Sequence, residues 1–289
     1  MKVRHLPILM SICFSLDASA ASITIDGDVA DWGLHRNGNR ADWLPNPSLV
    51  PASQYTVEDQ TGYSGARLFP GYGGQAYDAE AFYIAMDSTN LYLALVTGLS
   101  PNTVNDPAHN SYGPGDFAFD FGGDGTFEFG LETTGSQAGS LYRVSAWDYG
   151  LWDTNGNYNP GNPDLSHPTS IMTGSLVSSV GQLIYNSNPF KNMGVFNNDN
   201  HYVIEASIPL IAFSGFSGKF DVQWTMNCAN DAIAVDPILS TVPEPNSVLL
   251  LSAGLVGLLS MRRNNYLLAR VLHTANDPNG AGNRPRTVL

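Results

Sequence analysis

Apolar and polar residues alternate with a period of two in nine separated stretches, and few segments away from the termini show the 3.6-residue period of a helix. The alternation predicts strands at 22–26, 81–86, 91–97, 116–121, 127–132, 141–147, 182–185, 201–208 and 220–228. Between them, 34–80 and 148–180 are long, polar and rich in Gly and Pro, and read as irregular inserts. Strand number and spacing predict an all-β fold, an antiparallel β-sandwich. In the last strand the apolar set is Phe220, Val222, Trp224, Met226 and Cys228, which puts the Cys228 thiol on the buried face as core filler.

The two termini break this pattern. A basic start, an apolar run over 6–16 and the sequence Ala18-Ser19-Ala20 predict a secretory signal peptide, helical and spanning residues 1–20. A second apolar run, 248–261, predicts a short C-terminal transmembrane helix of about 21 Å at ~1.5 Å per residue. Arg262 and Arg263 would hold its end on the cytoplasmic side, with the domain outside. The chain thus divides into signal peptide 1–20, β-sandwich domain 21–241, membrane-directed segment 242–263 and an unstructured tail 264–289.

Composition sharpens the picture. Charged residues make up 13% of the chain, with 29 Gly and 18 Pro, as suits a turn-rich β protein. Only six of the 13 basic residues but 23 of the 26 acids lie between 21 and 242, a surplus of 17 negative charges in the domain. Such a field repels nucleic acid and attracts divalent cations, although solubility alone would also account for it. His35, His109, His167 and His201 lack metal-ligand spacing, and no nucleophile elbow, P-loop or dinucleotide fingerprint occurs. No catalytic residue is assigned on this basis.

The chemically richest stretch is 116–132, "DFAFDFGGDGTFEFGLE". For its two phenylalanine sets to share one face, Phe121 pairs with Phe127 and Phe119 with Phe129, around a turn at Gly123-Asp124-Gly125. Asp120 then opposes Glu128, and Asp116 opposes Glu132. Like charges across a hairpin destabilise it by up to ~1 kcal/mol a pair, and calcium held by Asp116, Asp120, Asp124, Glu128 and Glu132 would offset this. Two other readings stand beside it: the acids are simply solvated, or Asp120 and Glu128 form the acid–base pair of a polysaccharide hydrolase. Farther on, Trp147, Tyr149 and Trp152 offer flat faces on which a sugar ring could stack; alternatively, Trp147 ends a strand and Trp152 pins a loop. Asn230, Asp231 and Asp236 gather after the last strand, where they serve Asx turns or add metal ligands.

Two resemblances add to this reading. Pro243-Glu244-Pro245, the apolar run and Arg262-Arg263 resemble the PEP-CTERM sorting signal of Gram-negative bacteria. That resemblance implies an exosortase as partner, transient membrane insertion through 248–261, and delivery to the cell surface or extracellular matrix. Chains with this signal usually stop soon after the basic cluster, whereas this one runs on to Leu289. The segments "ITIDGDVADW" (23–32), "AFYIAMDSTNLYLALVTG" (81–98) and "YVIEASIPL" (202–210) are similar to family 9 carbohydrate-binding modules and DOMON-like sandwiches. They imply a jelly-roll-like sandwich. Together these readings point to an exported matrix or surface protein that binds extracellular polysaccharide, with a structural matrix protein and a polysaccharide hydrolase or lyase as alternatives.

Overall fold

A computed structural model describes residues 23–50, 53–60, 73–179, 182–216 and 219–236. Eleven strands are present among them: β1 (Gln54–Val57), β2 (Ala79–Met86), β3 (Asn90–Thr97), β4 (Phe117–Phe121), β5 (Phe129–Leu131), β6 (Ser140–Tyr149), β7 (Pro168–Ser179), β8 (Gln182–Tyr185), β9 (Tyr202–Pro209), β10 (Phe220–Thr225) and β11 (Ala232–Val235). The helical turns among the described residues are short 3-10 segments. None is long and apolar enough to cross a membrane. The expected signal helix and the helix over 248–261 lie outside the described residues.

Strands β1-β2-β3-β9-β8 form one sheet and β11-β10-β4-β5-β6-β7 the other, with every pairing antiparallel. One apolar cluster joins them face to face, with Phe82, Leu93 and Ile204 from the first sheet meeting Phe117, Phe119 and Trp224 from the second. Phe82 and Phe117 stack across the gap at 5.3 Å between ring centroids. Phe121 touches Phe129, Phe213, Phe216 and Phe220. Such ring pairs add about 0.5–1.5 kcal/mol each beyond the area they bury.

Most predicted strands are present, and their differences have physical reasons. The stretch 23–26 is irregular rather than a strand. The expected inserts are partly ordered: β1 lies within 34–80, and the 12-residue β7 occupies the end of 148–180. β7 is written PTSIMTGSLVSS and leaves Met172 and Leu176 exposed, so no alternation marks it. Cys228 is buried as expected, but in the turn that follows β10.

The first sheet is covered on its outer face too. Tyr83, Ala94 and Val203 pack there beneath Ile25, Trp32 and Trp43, which is why β2 and β3 read as nearly continuous apolar runs. Glu205 of β9 pins this cover. Its carboxylate accepts from Trp32 Nε1 at 3.0 Å, from the Gly27 amide at 2.7 Å and from the Asp26 amide at 3.1 Å. Gly27 sits at φ +78°, and a Cβ there would meet Asn186 and Ile184 at about 3 Å. The "ITIDGDVADW" segment is therefore a lid tied down by one acid. Leaving its donors orphaned would cost about 1–3 kcal/mol each.

Burial outweighs the three donors and holds the Glu205 carboxyl up at about 8, with the Asp31 charge adding to the rise. A carboxyl raised on folding contributes stability below its ordinary range and loses that contribution as pH climbs through the folded value. The advantage of the wild type over Glu205→Gln should therefore shrink between about 4.5 and about 8. Thermal melts of the two proteins across that window read it directly. A pH-independent difference would overturn the assignment.

Candidate functional site

Asp116, Asp120, Asp124 and Glu128 of the hairpin have found backbone partners. Where β4 and β5 pair, the register is the expected one, with Phe119 opposite Phe129 and Phe117 opposite Leu131. The ladder ends there, and the expected Phe121–Phe127 pair is replaced by a longer turn over 122–128. Asp120 accepts the amides of Gly123, Asp124 and Gly125, and Glu128 accepts that of Phe121 at 2.8 Å. Asp124 accepts the Thr126 amide. Asp116 is buried and accepts from Thr133 N and Ile171 N, both at 3.0 Å. Burial holds Asp116 up at about 7 and also raises Glu132, whose charge acts on Asp116. On the neighbouring strand, Asp221 lies opposite Asp120, and burial together with the Asp236 charge lifts it to about 6. The geometry of these carboxylates is that of loop caps and buried backbone acceptors.

The three aromatic residues singled out in the sequence go to different places. Trp147 donates from Nε1 to the Phe127 carbonyl at 3.0 Å and lies over Gly130, where a Cβ would come within 2.5 Å of the indole. Tyr149 is half-buried at the end of β6, and burial raises its hydroxyl. Trp152 faces a cleft of about 290 Å³, also lined by Tyr77, Tyr112, Tyr158, Asn110 and Asn230. Its ring meets Tyr158 edge-on at 6.0 Å, and the Tyr77 hydroxyl accepts the Tyr112 amide at 3.1 Å. Leu151 bonds to the Cys228 carbonyl, which ties the loop after β6 to the turn after β10. The three tyrosines come from Gly- and Asn-rich loops, in "GQAYD", "NSYGP" and "GNYNP". An aromatic residue set among turn formers was the signal that would have found them.

A second site lies where the two sheets meet. Glu58 just beyond β1, Asp78 just before β2 and Asp231 just before β11 each bring a carboxylate oxygen within 4.8 Å of the others. Asp78 and Asp231 are fully buried. Both Asp78 oxygens, Asp231 Oδ1 and Glu58 Oε2 are buried without a hydrogen-bond partner. Asp231 Oδ2 accepts the Ala79 amide at 2.6 Å, and the amides of Glu58 and Asp59 point to the Glu80 carbonyl. Burial raises all three acids. The Asp231 and Glu80 charges add to the rise of Glu58, to about 7, and with Glu58 to that of Asp78, which stands higher; the Ala79 amide and Asp78 hold Asp231 back to about 6. Glu80 stands behind them, its Oε1 taking Gln75 Nε2 at 2.8 Å and facing His201 Nδ1 at 3.3 Å. Of this group the sequence marks only Asp231; Glu58 and Asp78 sit in segments that read as insert.

Beyond the sandwich, residues 241–264 match a family model. It is the PEP-CTERM protein-sorting motif. Pro243, Glu244, Pro245, Arg262 and Arg263 all fall inside the match, which lies outside the described residues. The motif makes this an exported protein with a membrane-anchored precursor and an exosortase as its processing partner. No curated protein is significantly similar to the chain.

Cys228 forms part of the cleft wall, and its Sγ donates to Asn230 Oδ1 at 2.8 Å. Burial pushes the thiol up to about 12. Reaction with a disulfide reagent near pH 8 should thus be slower in the folded protein than in denaturant by about a thousandfold, as the thiolate fraction falls. A folded thiol that reacts at the free-cysteine rate would contradict this burial.

Proposed function

We propose that this PEP-CTERM protein is carried to the surface or matrix of a Gram-negative bacterium, where its sandwich domain binds extracellular polysaccharide in the aromatic cleft. The observation that carries the reading is the convergence of Tyr77, Tyr112, Trp152 and Tyr158 with the amides of Asn110 and Asn230 around one opening of about 290 Å³. Sugar rings present apolar C–H faces to aromatic planes and hydroxyls to amide side chains, and this wall offers both. The jelly-roll-like reading of the sandwich finds support in its wiring. β3 pairs with β9 and β4 with β10, both antiparallel, so the crossings from β3 to β4 and from β9 to β10 link two neighbouring strand pairs, one in each sheet, from opposite ends.

Binding is favoured over turnover because Asp120 and Glu128, the pair a hydrolase would use, are both engaged with backbone amides. A structural matrix role without a specific sugar is the second reading, favoured by the surplus of acids in the domain.

The test is co-sedimentation of the full chain with exopolysaccharide from the producing cells. Trp152→Ala and Tyr112→Ala should each weaken retention about tenfold, the equivalent of ~1.4 kcal/mol. Trp147→Ala should lower thermal stability by about 1–3 kcal/mol, through lost packing on Gly130 and the lost bond to the Phe127 carbonyl, while retaining the sugar. Absence of binding by the wild type would leave the structural matrix reading. Loss of binding only in Trp147→Ala would move the platform back to β6.

A further inference from the structure

We propose that Glu58, Asp78 and Asp231 hold a calcium ion that latches the open seam of the sandwich, joining the β1–β2 edge of one sheet to β11 of the other. Two oxygens that share one calcium at about 2.4 Å lie no more than about 4.8 Å apart. The three carboxylates meet that limit mutually. Proximity alone would be weak evidence, since acids cluster on many surfaces. Here Asp78 is wholly buried and both its oxygens lack a donor, as does Asp231 Oδ1 beside it. Almost every other buried acid of the domain described above is served by amides, whereas here Asp78 has none and Asp231 is served through Oδ2 alone.

Among the described residues, the charges that act on the three acids all come from other acids, and none from Lys or Arg. An unpaired buried carboxylate is costly, and three together require either shared protons or a cation. The donors are all hard oxygens, which suit calcium better than zinc, and the site needs waters or bidentate carboxylates to reach six to eight ligands. Glu58 gives the ion a route in, because it also lines an open cavity of about 490 Å³ together with Asp59 and Arg40.

The positions of the ligands explain what the ion would do. β1 and β11 are edge strands of different sheets, and the Thr56 hydroxyl already reaches the Ala234 carbonyl across the gap at 2.6 Å. Asp78 follows Tyr77, and Asp231 follows Asn230, both of which line the aromatic cleft. An ion that fixes the two acids fixes the neighbouring walls of the cleft. The metal site itself stands independently of any sugar.

The experiment is a calcium titration of the full chain stripped with EGTA, followed by calorimetry and by thermal unfolding. One ion per chain should bind with Kd in or below the millimolar range typical of extracellular sites, about 10⁻⁴–10⁻³ M. Saturation should raise the unfolding midpoint by about 5 °C or more, and magnesium at the same concentration should raise it less. Asp78→Asn and Asp231→Asn should abolish that rise. In EGTA, Asp78→Asn should melt no lower than the wild type, because no backbone donor is left orphaned when that carboxyl goes. Glu58→Gln, at a half-buried position that tolerates change, should weaken calcium binding at least tenfold if the other two variants fail to fold. A wild type indifferent to calcium would overturn the proposal and leave shared protons as the explanation. A calcium response that survives in Glu58→Gln and Asp78→Asn but disappears in Asp124→Asn would equally overturn it, by placing the ion on the hairpin.

Discussion

Phenylalanine on one face of β4 sets the terms for the rest of the domain. Phe117, Phe119 and Phe121 all point into the gap between the sheets, where they meet rings from β2, β5, β10 and the turn at 210–213. A strand has only two faces, so the intervening Asp116, Ala118 and Asp120 must lie on the other. That outer face is itself closed over near Gly130 by Trp147 and Ile171. The acids are consequently driven into a partly dry layer, and each must find donors there. Thr133, Ile171 and the Gly123–Gly125 turn supply them.

This distinguishes two populations of carboxylate in one acidic protein. Asp116, Asp120, Glu128 and Glu205 act as acceptors for amides that the fold would otherwise leave unpaired, and in doing so they fasten loops to sheets. Glu58 and Asp78 fasten nothing comparable, and Asp231 reaches across the sheets only to the Ala79 amide. Negative charge that is spread along the sequence is thus sorted by the fold into a spent set and an unspent one. Net charge shows neither, because it is blind to which oxygens have donors.

Period-two alternation carried the sheet core into view. β2, β3, β4, β8, β9 and β10 sit within a few residues of their sequence-based positions, and the β4–β5 register follows from requiring one phenylalanine face. β1 escaped because QYTV lies in a polar segment that reads as insert and leaves Tyr55 exposed, β11 because AIAV is apolar throughout, and β7 because Ser, Thr and Gly fill it. The site was harder to read for a related reason. Tyr77, Tyr112 and Tyr158 lie far apart in loops, and only the folded chain brings them to Trp152. Glu58 and Asp78 flank the strands that periodicity missed or clipped, so nothing local connects them with Asp231. The sorting motif, by contrast, is contiguous and short, and it was legible in full.

The place of β11 in the chain has a mechanical consequence. It is the last described strand, an edge of four residues paired on one side only with β10, and the sorting motif begins at residue 241. Tension transmitted from a membrane-held C-terminus would reach Val235 first and then pass through Ala234, Ile233 and Ala232, peeling them from β10 in turn. At the far end stands Asp231, bound to the amide of Ala79 in the opposite sheet. The domain is therefore loaded through a four-residue edge strand, and the contact that stops the tear is anchored in the other half of the sandwich.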